Sequence, residues 1–361
     1  MNIAIDTHFL SKISQGTGTY TYQLLNSLKK LITDEDNFYL LNKEDISVLF
    51  DNIYKWKALK SNSTPINIVY GFMENMKDID IIHTNYLCPI FNPYKTKRVI
   101  TVHDILFKTH NLYFPKKLRW GVDFFTNLCL SKADKIICVS KYTRDQLIYY
   151  YPFVQNKCEV IYEAPSNDYK ILSTQNNIKK EWGITKPYIL FVGRFAPIKN
   201  IEKLITIYTT DQSIYKKYDL VLVGNFDKSF PNQKLYQLLE KKHNIKILSS
   251  ISNLDLNLLY NNATMLYFVS HGEGFGLPIL EAMAAGCPVL TSTTTACSEI
   301  AGNAAYKANP LSIEDIHTQM KKMLFNEEIL NELRIKGMEH VNHFSWNECA
   351  LKTYQLYQSI I

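Results

Sequence analysis

Two carboxylates, Glu273 and Glu281, are spaced seven residues apart within Ser-His-Gly-Glu-Gly-Phe-Gly-Leu-Pro-Ile-Leu-Glu-Ala-Met-Ala-Ala-Gly-Cys-Pro-Val-Leu, residues 270–290. Glycines at 272, 274 and 276 let backbone N–H groups come close to a ligand. Pro278 suits the first position of a helix, which puts Glu281 in the first turn and lets Gly286 with Pro288 close it. A helix N-terminus behind a glycine loop favours anionic and oxygen-rich groups. The competing reading is a surface loop and an amphipathic helix carrying two solvated acids.

A second cluster supplies the opposite charge: Phe191-Val192-Gly193-Arg194-Phe195-Ala196-Pro197-Ile198-Lys199-Asn200. A glycine at a strand end, then Arg194, then Lys199 suits a diphosphate, because Arg can hold two oxygens at once and Lys adds a point charge. Elsewhere, Gly16-Thr17-Gly18 separates a strand from a helix expected over about 19–31. Val102-His103-Asp104 closes another strand, with Asp104 placed either to orient the His103 ring or to cap the next segment. Val139-Ser140-Lys141-Tyr142-Thr143-Arg144 offers Ser140 as a helix N-cap.

The 270–290 string resembles the Glu-x7-Glu signature of glycosyltransferase family 4, retaining enzymes of the GT-B fold. The resemblance implies that Glu273 contacts the transferred sugar and that Glu281 binds the nucleotide ribose. It further implies that the amides around Gly274, Phe275, Gly276 and Leu277 hold sugar hydroxyls. Gly193, Arg194 and Lys199 match the pair that neutralises the leaving diphosphate. Gly16 and Gly18 fall where the family has a glycine loop facing the donor phosphates, although Thr19 replaces the usual arginine. His103 matches a sugar-contacting histidine of the opposite domain, and Arg144 would lie on a helix within reach of donor or acceptor. Glu299, in Glu-Ile-Ala-Gly-Asn-Ala-Ala, matches a run near the nucleotide pocket and reads as a supporting residue. Tyr162-Glu163-Ala164 departs from the family's Tyr-Asn-Gly at the domain hinge.

The elements that must position these residues are short apolar runs at 3–5, 38–41, 66–69, 79–82, 99–102, 136–139 and 160–162, then 188–192, 220–223, 245–248, 265–269 and 289–290. Apolar on both faces and separated by helical stretches, they indicate parallel strands covered on both sides. The fold expected is α/β: two Rossmann-like parallel-sheet domains facing across a cleft, in the GT-B arrangement. The boundaries are an acceptor-side domain at 1–165, a nucleotide-sugar domain at 166–345 and a terminal helix at 346–361 crossing back to the first domain.

With 361 residues and 46% hydrophobic content, two cores of ordinary size can form. The seven cysteines form no C-x-x-C pair and read as core thiols of a cytoplasmic protein. No ligand cluster suggests a metal or other cofactor, and a net charge of +6 is too small to imply nucleic acid. Lys12, Lys29, Lys30, Lys95, Lys97, Arg98, Lys108, Lys116, Lys117 and Arg119, with the neighbouring Leu112-Tyr113-Phe114-Pro115, fit either an anionic membrane surface, peripheral at the inner face, or a solvated basic helix.

The resemblance therefore implies a metal-independent, same-face transfer in which domain closure excludes water. The substrates implied are a nucleotide diphosphate sugar, GDP-mannose first, and a glycan or lipid-linked oligosaccharide acceptor of surface polysaccharide or lipopolysaccharide. The competing functions are a sugar-nucleotide 2-epimerase and a non-catalytic nucleotide-sugar-binding protein.

Overall fold

The computed structural model describes all residues except 13–15, 60–71, 174–181, 227–234, 236–237 and 240–243. The strand expected at 66–69 and the Lys12 side chain lie outside the described residues. The chain divides into two compact units, Met1–Ala164 with Phe344–Ile361, and Pro165–His343.

In the first unit, β1 (Asn2–Asp6), β2 (Asn37–Asn42), β3 (Lys55–Ala58), β4 (Ile81–Asn85), β5 (Lys97–Val102), β6 (Lys135–Cys138) and β7 (Cys158–Val160) form one sheet in the order β3-β2-β1-β4-β5-β6-β7. In the second, β8 (Tyr188–Val192), β9 (Asp219–Val223), β10 (Ile245–Leu248), β11 (Met265–Phe268), β12 (Val289–Ser292) and β13 (Tyr306–Ala308) run β10-β9-β8-β11-β12-β13. Every recorded strand pair is parallel. Both sheets therefore reverse their winding once, between β1 and β4 and between β8 and β11, where ligands of such sheets collect beyond the strand ends.

The central strands β8, β9 and β11 are buried at every residue, which is why they read as unbroken apolar runs. The edge strand β3, Lys-Trp-Lys-Ala, is mostly exposed, and its two lysines reach over the Tyr39 ring of β2. One core joins Phe191, Ile205, Leu222 and Met265 to Met320 and Leu333 in the second unit. Another joins Ile5, Leu24 and Leu40 to Trp346, Ala350 and Tyr357, so the terminal helix Trp346–Gln358 is part of the first unit's interior. There Tyr357 Oη is 2.5 Å from His83 Nδ1, a buried contact across most of the sequence.

Two local expectations change. The first helix runs Gly16–Leu28, so Gly16 and Gly18 occupy its opening turn rather than a preceding loop. The helix after the glycine-rich loop is Leu277–Ala284, with Gly276 as its cap at φ 107°, a left-handed conformation that suits glycine. Leu277 thus takes the first position and Pro278 the second. Glu281 falls beyond the first turn, not within it.

Candidate functional site

The reversal point of the second sheet is built from two exits, those of β8 and β11. Gly193 leaves β8 at φ 146° and donates its N–H to Val223 O at 2.9 Å. A Cβ on neighbouring Gly224 would meet Gly193 O at 1.9 Å, so a second glycine lets the β9 exit lie against this turn. Gly224 carried no signal of its own in the sequence reading. Arg194 is exposed at the strand end. After the turn Pro197–Lys199, Asn200 adopts a left-handed conformation and its Nδ2 donates to Val269 O and Pro310 O at 3.1 and 2.9 Å. His271 N donates to Ile198 O at 2.8 Å, tying the two exits together again.

This lacing sets Lys199 against the glycine-rich loop. Its Nζ is 2.5 Å from Glu273 Oε1 and 5.5 Å from the centre of the Phe268 ring. Glu273 is buried and Lys199 half-buried, so this ion pair is held largely out of water. Gly274, Phe275 and Gly276 are also buried, and the cap at Gly276 brings no side-chain hydrogen bond. The helix N-terminus therefore keeps its partial positive charge directed at the loop. The structure thus brings Lys199 and Glu273 together and leaves Arg194 at the β8 exit.

Glu281 lies apart from that pair, one turn further along the helix. Tyr260 Oη donates to its Oε2 at 3.0 Å, and burial pushes the Glu281 carboxyl up to about 7. Tyr260 belongs to the helix Asn253–Asn262 and was not visible as a partner in the sequence. Its own hydroxyl is pushed well up by burial and then by the Glu281 charge, so it serves as a donor.

In the first unit, His103 is buried and both of its ring nitrogens are engaged: Nδ1 is 3.0 Å from Glu163 Oε1, and Nε2 is 2.9 Å from Asn85 Oδ1. Asp104 does not orient the ring; it caps the next segment by accepting from Leu106 N at 3.0 Å. Ser140 is the N-cap of the helix Lys141–Tyr150, accepting from Thr143 N at 3.0 Å, and Thr143 Oγ1 donates to His103 O at 3.3 Å. Arg144 pairs with its neighbour Asp145 at 2.7 Å. Glu299 is half-buried on the helix Thr295–Ala301. Sequence reasoning missed Asn85 and the buried Asp6, whose Oδ1 is 2.5 Å from His8 Nδ1 at the exit of β1.

Within the Leu112–Pro115 run, Tyr113 and Phe114 are half-buried and Leu112 is 94% exposed. On the helix Lys116–Lys132, Trp120 is 79% and Phe124 66% exposed, one turn apart on one face, with Leu118 also exposed and Lys116 and Lys117 alongside. Among the described residues, no helix is long and apolar enough to cross a membrane, and no three His, Cys, Asp or Glu side chains gather as a metal site. The seven cysteines are free, and six of them are buried.

Comparison with known proteins gives the arrangement its family. Residues 15–164 match the model described as Glycosyltransferase Family 4, and residues 174–340 match Glycosyl transferases group 1. The chain is 28% identical over 277 residues to O-antigen chain mannosyltransferase B of Escherichia coli, covering 74% of this chain and 71% of that one. Its fold is similar to that of sucrose-phosphate synthase from Thermosynechococcus elongatus, with a TM-score of 0.83 at 18% identity over 100% and 99% of the two chains. It is also similar to the Alr3699/HepE protein of Anabaena in complex with UDP-glucose, with a TM-score of 0.77 at 16% identity over 99% and 100%. Matched in its first unit by the one model and in its second by the other, the chain belongs to the family 4 glycosyltransferases of the GT-B fold.

Proposed function

We propose that the chain transfers a hexose, with retention at the anomeric carbon, from a nucleotide diphosphate sugar to a glycan or lipid-linked acceptor of bacterial surface polysaccharide. The observation that carries this reading is the Lys199–Glu273 pair at the reversal point of the second sheet, beside the uncapped N-terminus of the Leu277–Ala284 helix. Lys199 and Arg194 take the leaving diphosphate, and Glu273 takes the sugar. The Glu281 carboxylate accepts from the ribose hydroxyls. His103 serves the transferred sugar. The bond from the anomeric carbon to the phosphate oxygen breaks as the acceptor oxygen bonds on the same face, and the acceptor proton passes to the departing phosphate.

Arg194 and Lys199 supply the charge that a divalent ion supplies in other transferases, so transfer proceeds without metal. A mannosyltransferase among the relatives supports mannose as the sugar and GDP-mannose as the first donor to try. Peripheral contact with the inner face of an anionic membrane fits the exposed Trp120 and Phe124 beside Lys116 and Lys117, since aromatic groups rest at such interfaces and each nearby cation adds about 1 kcal/mol.

A thermal-shift panel of nucleotide diphosphates and nucleotide sugars tests the donor site. A ligand at ~100 times its dissociation constant adds about 2.7 kcal/mol of stability. The expected outcome is a shift with one nucleotide family, and no shift with any member would reject the reading.

A further inference from the structure

Asparagine is a poor residue for a helix interior, yet Asn253, Asn257 and Asn261 recur at every fourth position of the helix Asn253–Asn262 and so share one face. Each of them holds the same stretch of chain, the first residues of the second unit after it begins at Pro165. Asn257 Oδ1 accepts from Lys170 N at 3.0 Å. Asn261 Oδ1 accepts from Leu172 N at 2.9 Å, while its Nδ2 donates to Lys170 O at 2.9 Å. A backbone N–H only donates, which fixes the orientation of both amides. Asn253 Nδ2 donates to Asp168 Oδ2 at 2.9 Å, and the same oxygen accepts from Ser166 Oγ at 3.0 Å. Further along, the Ile171 side chain lies over Gly286, where an added Cβ would meet it at 3.6 Å, just past the helix that carries Glu281.

This ladder sets Tyr169 between its rungs. The Tyr169 ring is buried and stands edge-on to Tyr260, with centroids 5.8 Å apart and planes at 76°. Tyr260, on the same helix as the ladder, donates to Glu281 Oε2 at 3.0 Å. Contact therefore runs from the start of the second unit through Tyr169 and Tyr260 to the carboxylate. Burial, and then the charges of Glu281 and Asp168, push the Tyr169 hydroxyl up, so the ring packs as a neutral group. A ring packed edge-on restricts its neighbour, and a restricted tyrosine aims its hydroxyl.

We propose that Tyr169 is a positioning residue for Glu281: clamped by the asparagine ladder, it holds the Tyr260 hydroxyl on the carboxylate and ties the segment 165–172 to nucleotide binding. This rests on the ribose role given to Glu281 above. Coupling of this kind is reciprocal, so whatever Tyr169 adds to nucleotide affinity, the nucleotide returns as tighter docking of Tyr169 and its neighbours. The ring, not its hydroxyl, does the holding.

The test uses the full-length protein with GDP, and with UDP as a second nucleotide, since both carry the ribose diol. Backbone hydrogen exchange on the wild type comes first and needs no variant. The amides of Tyr169, Lys170 and Leu172 should exchange about fivefold more slowly when nucleotide saturates the protein. Calorimetry then compares variants. Tyr169→Leu should bind nucleotide about fivefold more weakly, and Tyr169→Phe, which keeps the ring, should restore the affinity. In a Glu281→Gln background Tyr169→Leu should cost nothing further, because the two act through one contact. Tyr169→Leu should raise donor KM by the same factor and change kcat far less, since the ribose is gripped in ground and transition states alike. Asn261→Ala, which releases Lys170 and Leu172 without touching either ring, is the second variant and should weaken binding in the same direction.

Exchange at these amides indifferent to nucleotide would overturn the proposal. So would wild-type affinity in both Tyr169→Leu and Asn261→Ala, or a loss in the Glu281→Gln background equal to that in the wild type. Failure of the nucleotide reading looks different: neither nucleotide binds the wild type, or Glu281→Gln binds as tightly as the wild type, and Tyr169 then loses its role together with Glu281.

Discussion

Tyr260 donates its hydroxyl to Glu281 Oε2 at 3.0 Å, and both residues are buried. One hydrogen bond only partly offsets the desolvation of the carboxylate, which is why its pKa rises to about 7 from a usual value of 4.5. A buried acid in this condition weakens the unliganded fold and is useful only when something polar arrives to share it.

The sign of the resulting pH effect follows from proton counting. Between about 4.5 and 7 the folded chain keeps the Glu281 proton while the unfolded chain has lost it, so stability falls as pH rises through that window. Below it the two states bind the proton equally. Glu281→Gln removes this penalty. The variant should match the wild type near pH 4.5 and exceed it at pH 8 by up to roughly 3 kcal/mol in chemical unfolding. A variant less stable than the wild type at pH 8 would contradict the assignment.

The same substitution should act in the opposite direction on binding. Ribose hydroxyls need the charged acceptor, so wild-type nucleotide affinity should rise from pH 6 to pH 8, whereas Glu281→Gln should bind at least tenfold more weakly at pH 8 and without that slope. Calorimetric titration reads both, and an unchanged affinity would remove Glu281 from the site.

Arg194→Ala should lower kcat by about 10² to 10³ and raise donor KM much less, because charge on the leaving diphosphate grows in the transition state. Lys199→Ala should show the same pattern, and it also leaves buried Glu273 without its cation, so its melting temperature should fall as well. Initial-rate kinetics on both variants, set beside their melting curves, separate the two effects. Native turnover in both would exclude them from the diphosphate site.

Transfer should continue undiminished in excess EDTA under the proposed mechanism, in which Arg194 and Lys199 supply the charge on the leaving diphosphate. Activity lost in EDTA and restored only by a divalent ion would contradict a metal-independent mechanism.

Co-sedimentation with vesicles containing anionic lipid should be strong at low salt and weak at high salt. Trp120→Ala with Phe124→Ala should reduce binding at every salt concentration, while Lys116→Glu with Lys117→Glu should abolish its salt dependence. Binding indifferent to lipid charge would leave the helix face without a membrane role.

Much of the scaffold was legible because central strands such as Tyr188–Val192 are apolar on both faces and stand out against their flanks. The edge strand Lys55–Ala58 was not, because an exposed Lys-Trp-Lys pattern carries no burial signal, and Tyr306–Ala308 is too short to show one. Residues of the glycine-rich loop could be named from spacing, but the turn holding Glu281 shifted because Gly276 takes the cap and Leu277, not Pro278, begins the helix. Partners drawn from distant segments were invisible: nothing local links Tyr260 to Glu281, or Asn85 and Glu163 to His103. Asp104, the neighbour in sequence, was expected either to orient the ring or to cap the next segment, and it does the second. Its short side chain is taken up by the backbone N–H of Leu106, two residues on.

The most direct measurement is transfer itself. Purified protein is incubated with nucleotide diphosphate sugars radiolabelled in the sugar, GDP-mannose first, together with a bacterial lipid-linked glycan extract, and the products are separated and scored for label. Label moving from one donor into the glycan fraction, with release of the nucleotide diphosphate and loss of transfer in the Arg194→Ala protein, is the expected result. Label that stays on the nucleotide for every donor, or appears only as an isomerised sugar nucleotide, would contradict glycosyl transfer.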